Sequence, residues 1–583
     1  MVRSSLAVSA LAAASIVAGS GSARASGITN SADDLRTGWY SDQQSLTPQL
    51  VSSGPFSQVF STPITGQVYA QPLVYKGSLI VATEANWVYR IDPENGNIFW
   101  SKNLGPAWNA SDIGCGDLTP TIGVTGTPVI DDTMDTIYLL SKSYESGTSG
   151  PAIYYVHALD VFTGGERTGF PVHVQGTAQN NPNATFDPTK QLQRPGLLLM
   201  DGVVYAAFGG HCDITVWRGW LIGVSTSGQI KARWVSRSGS TNSGAAVWHS
   251  GGALVSDGPG RIFVSTGNGG SPTSAIPGNM PPANLGNSAV HLQVQPDGSL
   301  NAVDFFTPYN ASTLDTFDQD LGSCGPAGLP SQYFGTPAHP NLMFTAGKEG
   351  YVYLLDRDSL GGCKQAANGR DNVVDRKGNY GGVWSHPAVW PGDGGYFYLP
   401  HNSPGPFRIY KYGLDGTGNP SIQLVASSSD NFGLSSSAPV VTSDGTTSGS
   451  ALVWIVRAAD GTGAGAELRA YDALPQGSLP VLRFSSAIGT SSKFNPPGVG
   501  AGRIYVGARD GHVLSFGPPV INLLVTKSAD VHLAWSGGNA PYRLRRAADV
   551  RFTSPVVLLD HSSATSFDDP VLGDGNSYFY LLP

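Results

Sequence analysis

Four short phrases in the sequence carry groups that could act together. Asp315-Thr316-Phe317-Asp318-Gln319-Asp320 crowds carboxylates into one polar run, and Gly347-Lys348-Glu349-Gly350 sets a lysine in a turn-forming run. Phe263-Val264-Ser265-Thr266-Gly267-Asn268 is a β-prone run ending in an amide, and Gly209-Gly210-His211-Cys212-Asp213 ends in another carboxylate. Brought together, such carboxylates beside one lysine make a polar ligand site. Taken singly, each residue also has an ordinary use. Asn268 can cap a turn, Asp318 and Asp320 can be solvated, Lys348 can sit on a surface turn, and His211 and His386 can be hydrogen-bonded structural histidines. No G-x-S-x-G elbow or H-E-x-x-H helix appears, so the common hydrolase routes lack support. Gly461-x-Gly463-x-Gly465 has no strand–helix context for phosphate and reads as a hairpin loop. The c-type haem attachment motif C-x-x-C-H is absent, so no haem of that kind is expected on this chain.

Composition narrows the class. Of 583 residues, 13% are charged, 75 are Gly and 41 are Pro, which suits all-β structure with many tight loops. A formal charge of −8 without a basic cluster argues against nucleic acid as a partner. Residues 1–25 read as a secretory signal, with Arg3, an apolar stretch from Leu6 to Ala18, and Ala23-Arg24-Ala25 as the cleavage site. The chain is therefore expected to be secreted or periplasmic. No later stretch is apolar enough for a transmembrane segment. Export permits disulfides, and two are expected from the placement of the four cysteines: Cys115–Cys212 and Cys324–Cys363.

The elements that must position these groups recur along the chain. Eight openers, ending at Pro72, Pro128, Pro195, Gly252, Pro337, Pro387, Pro439 and Pro496, are each followed by β-prone runs. The runs that close successive units, at Asp92, Asp160, Asp356 and Asp472 among others, come about 45–70 residues apart. In the first unit, four such runs are separated by Lys-Gly, Glu-Ala-Asn and Glu-Asn-Gly turns, as four antiparallel strands of one blade require. The fold class is therefore all-β, an eight-bladed β-propeller with a small C-terminal β-sandwich. After the signal come a lead-in at 26–55, the propeller at 56–518, and alternating runs at 519–583 that look like a fibronectin type III-like module. The openers should form the innermost strands, with Gln71, Thr127, Arg194, Gly251, Thr336, His386, Ala438 and Asn495 facing the axis. Residues 56–66 should lend a strand to the last blade. The fourth unit has the longest excursion, from Asn268 to about Leu329, where a binding loop belongs.

The phrase Val88-Tyr89-Arg90-Ile91-Asp92-x-x-x-Gly96-x-x-x-Trp100, echoed by Val352-Tyr353-Leu354-Leu355-Asp356-Arg357, resembles the repeat of pyrroloquinoline quinone (PQQ) propellers, over roughly residues 60–517. In quinoprotein alcohol dehydrogenases this resemblance implies PQQ and calcium near the axis. It would make Asn268 a calcium ligand with Asp213 in place of the family's glutamate, and Asp318 or Asp320 the catalytic base. Lys348 would polarise the quinone, and Trp248 would be the stacking tryptophan. Two departures count against that activity. The family's adjacent-cysteine disulfide over the quinone has no counterpart in sequence, and its Gly-Ala-Glu phrase is replaced by the segment ending in Asp213. The first reading is thus a propeller that binds a small-molecule ligand or protein partner. The alternative is a divergent PQQ- and calcium-dependent oxidoreductase.

Overall fold

In the computed structural model, the described residues are 27–519 except 215 and 241, followed by 522–527, 531–536, 542–547, 556–569 and 579–581. The segment 1–25, read above as an export signal, lies outside them.

Eight blades surround one axis, most of them four-stranded antiparallel sheets with the innermost strand first in sequence. Blade one is Leu73–Tyr75, Ser78–Ala82, Trp87–Ile91 and Ile98–Asn103. Leu198–Met200 begins blade three, Ala388–Trp390 blade six and Gly498–Gly500 blade eight. The ring is fastened by Ser57–Pro63, which pairs antiparallel with His512–Gly517 as the outermost strand of blade eight. That pairing leaves the first and last blades without an open seam between them.

Blades pack face to face, so a middle strand is covered on both sides and reads as a continuous apolar run. Val352–Asp356 is buried throughout. Its Val352 and Leu354 pack toward blade six with Val389, Phe397 and Leu399. Tyr353 and Leu355 turn the other way, toward Phe263 and Phe306 of blade four. Phe344 stacks on Phe397 with ring centroids 4.8 Å apart. Burying each such ring contributes about 2–3 kcal/mol, repeated at every seam.

Two expectations need correction. Gly335-Thr336-Pro337 does not open blade five. It belongs to a turn in which Thr336 and His339 exchange backbone hydrogen bonds, and Thr336 is away from the axis. The innermost strand there is Ala327–Gly328, paired with Leu342–Ala346. Proline and glycine mark turns as readily as strand starts, and here the turn won. The second correction concerns Cys324 and Cys363, which are free and buried. Cys324 lies in the seam between blades five and six, with its Sγ donating to the Ala346 carbonyl at 2.9 Å. Cys363 lies in a separate core with residues of blades three and four. Closeness in sequence did not put the two thiols on a common face. Cys115 and Cys212 do form a disulfide, with Cα atoms 5.8 Å apart.

The lead-in is more ordered than its composition suggests. Its carbonyls accept from innermost-strand amides of successive blades: Gly27 from Val74, Ile28 from Ile130, Asp34 from Ser256, Leu35 from Gly328, Thr37 from Val389 and Gly38 from Val441. Arg36 is fully buried at the centre of this coil. Its guanidinium donates to Leu254 O at 2.7 Å, Thr29 Oγ1 at 2.7 Å and Leu197 O at 3.3 Å. The segment therefore closes one end of the axial channel.

Past the propeller, Asn522–Lys527, Val531–Ser536 and Ser566–Asp569 form one three-stranded sheet, and Val556–Ser562, Tyr542–Ala547 and Phe579–Leu581 another. Leu533 and Trp535 of the first share a core with Tyr542 and Leu544 of the second.

Candidate active site

The chain's loops bring Asp213, Asp320, Lys348 and Trp248, of the residues singled out above, to one cavity of about 490 Å³. Trp248, Trp384, Cys212, Arg194, Lys348, Lys493, Asp117, Asp213 and Asp320 line it. Arg194, Trp248, Ser323, Trp384 and Lys493 lie in the connections that lead into the innermost strands, so the cavity sits on the axis.

Lys348 and Asp320 form an ion pair in its wall. Lys348 Nζ lies 2.6 Å from Asp320 Oδ2 and 3.0 Å from Asp318 Oδ2. The other Asp320 oxygen accepts the Asn268 N–H at 2.7 Å, and Asn268 Nδ2 donates to Asp318 Oδ1 at 3.3 Å. The Lys348 amide also donates to the Asp320 carbonyl at 2.9 Å. Asp315 ties the supporting loop together, accepting from Gly269 N at 2.7 Å, Ser271 Oγ at 2.6 Å and Asn287 Nδ2 at 3.0 Å. Closeness has a sequence cause at Gly267, where a Cβ would fall 2.2 Å from Asp320 Oδ1. Only glycine lets strand and carboxylate approach this far.

Electrostatics separates the carboxylates. Burial raises the Asp320 pKa above the ordinary carboxylate value, and Lys348 opposes it. Burial works against the charge on Lys348 too, but Asp320 and Asp318 outweigh it and hold that pKa above the usual lysine value. Asp213 is raised to about 6 by burial and then by the charges of Asp320 and Asp318. It therefore lies within electrostatic reach of the same pair. Asp318, with a side chain 60% exposed, is the outer member.

The opposite wall is cationic. Asp117 binds Arg194 at 2.6 Å and also contacts Lys493. Burial pushes Asp117 up, yet the two cations together hold its pKa down at about 2. Two cations on one carboxylate leave a surplus positive charge facing the cavity. The Arg194 guanidinium lies 5.7 Å from the Trp248 ring centre. Trp248 Nε1 is buried and has no hydrogen-bond partner among the described residues. Cys212 and Asp213 both adopt left-handed backbone, with φ of 46° and 53°. The bond to Cys115 holds that turn against the cavity.

Asn268, Asp213, Asp318, Asp320, Lys348 and Trp248 are thus gathered around one place. Asp117 and Lys493 carried no sequence signal. Arg194 did, through its position before Pro195. His211 lies behind the wall, with Nε2 2.8 Å from Lys142 Nζ. His386 bonds the Arg36 carbonyl at 2.8 Å. Both are structural here.

The fit to a PQQ-like group can be tested on these features. PQQ is a flat ortho-quinone bearing three carboxylates. The cavity offers a tryptophan, a disulfide, an unpartnered indole N–H and a cationic wall, which suit a flat polyanion. Calcium is less well provided for. Among the described residues no group of three or more His, Cys, Asp or Glu side chains is placed to hold a metal ion. Asp213 and the Asn268 amide oxygen offer part of a shell at most, and the ligand itself would have to supply further oxygens.

The fold is an eight-bladed β-propeller with a cavity on its axis. Among solved structures it is similar to the quinohemoprotein alcohol dehydrogenase ADHIIG of Pseudomonas putida HK5, with TM-score 0.57, 12% identity, and 85% of this chain and 80% of that one covered. It is similar to the quinohemoprotein alcohol dehydrogenase of Comamonas testosteroni, with TM-score 0.54, 17% identity, and coverage of 87% and 83%. A europium-containing methanol dehydrogenase gives TM-score 0.55, 15% identity, and coverage of 86% and 90%. At these identities the likeness carries the fold alone. No family model and no curated protein matches the sequence.

Proposed function

We propose that this chain is an exported oxidoreductase that holds a PQQ-class quinone in the axial cavity and oxidises a small hydroxyl-bearing substrate. The observation that carries the reading is the Lys348–Asp320 pair at 2.6 Å in a cavity also lined by Trp248 and the cysteine of a disulfide. The missing adjacent cysteines weighed against this activity. Cys115 and Cys212, 97 residues apart, supply a disulfide at the cavity by another route.

Arg194 and Lys493 would hold carboxylates of the cofactor, and Trp248 would offer its ring face. Lys348 would neutralise charge at a carbonyl oxygen. Bound there, PQQ supplies a carbonyl that takes two electrons from a substrate carbon. Asp320 is the base: it lines the cavity, whereas Asp318 sits outside, and its raised pKa suits it to receive the hydroxyl proton. Asp213 and Asn268 are the residues available to calcium. The residues at 519–583 serve as a spacer or tether.

The test is a fluorescence titration with PQQ, with and without calcium, followed by dye-linked alcohol oxidation. Saturable binding is expected, lost in Lys348→Ala and kept in Asp320→Asn, which should lose turnover about 10²–10⁴-fold. Absence of saturable PQQ binding to the native chain overturns the reading. A second reading, ligand binding without turnover, is favoured by the lack of a ready-made metal shell among the described residues. It predicts PQQ binding with no dye reduction.

A further inference from the structure

Behind the main cavity lies a small one of about 20 Å³, room for roughly one water. The two share Arg194 and Lys493 as wall residues, and Asn30 of the N-terminal coil, Tyr69, Thr125 and Thr127 line the inner one. The Thr125 hydroxyl donates to Glu84 Oε2 at 3.1 Å, and the same oxygen accepts the Gly123 N–H at 2.7 Å. Oε1 of Glu84 is buried and has no partner among the described residues. Glu84 itself is 1% exposed. No ion pair to it occurs among the described residues. The charged or titratable groups that face it are Arg194, Asp117, Tyr69, Lys142 and Tyr154. A buried carboxylate with one oxygen unsatisfied and no paired cation is poorly supported as an ion.

We propose that Glu84 is a proton-linked sensor of charge in the axial channel, taking up a proton through Thr125 and the inner cavity when an anionic ligand fills the main one. The proposal rests on the reading above, that the occupant is a PQQ-class polyanion. Burial brings the Glu84 pKa to about 7, against the pull of Gly123, Thr125 and Arg194, so the empty protein holds this group near its midpoint at neutral pH. An occupant whose carboxylates engage Arg194 and Lys493 offsets the nearby positive charge and adds negative charge. Both effects favour the neutral acid. The step is one proton from solvent converting the carboxylate to the carboxylic acid, with no other bond changed. The sign follows from linkage. The occupied state binds more protons, so affinity is greatest below the pKa of the empty protein and falls as pH rises through it. The fall is at most about tenfold per pH unit.

Two measurements on the full chain test this. Infrared titration of the ligand-free protein should show a protonated buried carboxyl band that disappears through neutral pH and is absent in Glu84→Gln. A wild-type band that is already lost well below neutral pH, or one that persists in Glu84→Gln, overturns the proposal. Calorimetric titration with PQQ, in buffers of different ionisation enthalpy near neutral pH, counts protons. Net uptake is expected in the wild type and should fall by the Glu84 share in Glu84→Gln, whose side chain mimics the neutral acid. Equal proton counts in the two proteins overturn the proposal while leaving PQQ binding intact. If neither protein binds PQQ, the oxidoreductase reading falls and the ligand linkage falls with it, and the infrared result still decides the state of Glu84. Should Glu84→Gln fold poorly, Thr125→Val serves instead. It removes one hydrogen bond to the carboxylate, so the band should persist to higher pH, and an unmoved midpoint counts against the proposal.

Discussion

Replacing Lys348 with Met keeps the side-chain stem and removes one charge from a buried pair. At 2.6 Å and an effective dielectric of ~20, the pair's direct attraction is about 6 kcal/mol. Desolvation of both ions offsets much of that. What remains to be felt is the stranding of Asp320, whose side chain is 3% exposed. Removing one partner of a buried pair costs about 3–5 kcal/mol. Because Lys348 keeps a 17% exposed side chain against a wet cavity, the expected loss is at the low end, about 3 kcal/mol. Adding Asp320→Asn removes the stranded charge, so the double variant should recover about 2 kcal/mol of that loss. Burial already raises the Asp320 pKa, and loss of Lys348 raises it further. A carboxyl with a folded-state pKa above its unfolded value favours unfolding only where the unfolded chain is ionised. The unfolded chain is common to both proteins, so the Lys348→Met deficit should be small at about pH 4 or below and grow as pH rises from the wild-type folded-state value, itself above the ordinary carboxylate range, toward the still higher one of the variant. Urea unfolding followed by tryptophan fluorescence, at about pH 7 and about pH 4, reads both effects. A single variant within about 0.5 kcal/mol of wild type near pH 7, or a double variant no more stable than the single, would refute the reasoning.

Native protein should show no thiol reactive toward a soluble disulfide reagent, and denatured unreduced protein should show two. Cys324 and Cys363 are buried and free, and burial pushes the Cys324 pKa up to about 12; fast labelling of the native chain would contradict their placement. Arg36→Met should destabilise the chain by about 3 kcal/mol or more, since it leaves the carbonyls of Leu254, Leu197 and Asn30 without their buried donor. A melting temperature unchanged by that substitution would show that the coil does not bear on stability.

Much of the propeller could be read from the sequence, because many middle strands are buried on both faces and show as nearly unbroken apolar runs. Val352–Asp356 is such a case. The fifth opener misled because its true inner strand, Ala327–Gly328, is two residues long and too short to show a period, while Gly-Thr-Pro337 looks like every other opener. Asn268, Asp320 and Lys348 were legible because each follows or ends a recognisable phrase. The Asp117–Arg194–Lys493 cluster was not, since its members lie 77 and 376 residues apart and meet only through ring closure. The coil at 27–40 shows no periodicity at all. Its order comes from backbone carbonyls meeting strands elsewhere, which side-chain identity does not record.

That coil also bears on how the ring is assembled. Gly27 to Gly38 bonds to blades one, two, four, five, six and seven, and nearby residues reach the far end of the chain, as Gln71 does to Pro497, 426 residues away. Contacts of such separation form late, because loop closure must precede them. A stretch made before any of the eight blades is thus among the last to find its partners. Until blade eight exists, the early residues have neither a ring to thread nor a strand at His512–Gly517 to accept Ser57–Pro63. An unfinished chain is an open arc with unpaired edges, prone to stick to its neighbours. Completion is close to all-or-none: closing the circle seats the coil, and the seated coil ties six blades to one another, so that loosening any one of them disturbs the rest.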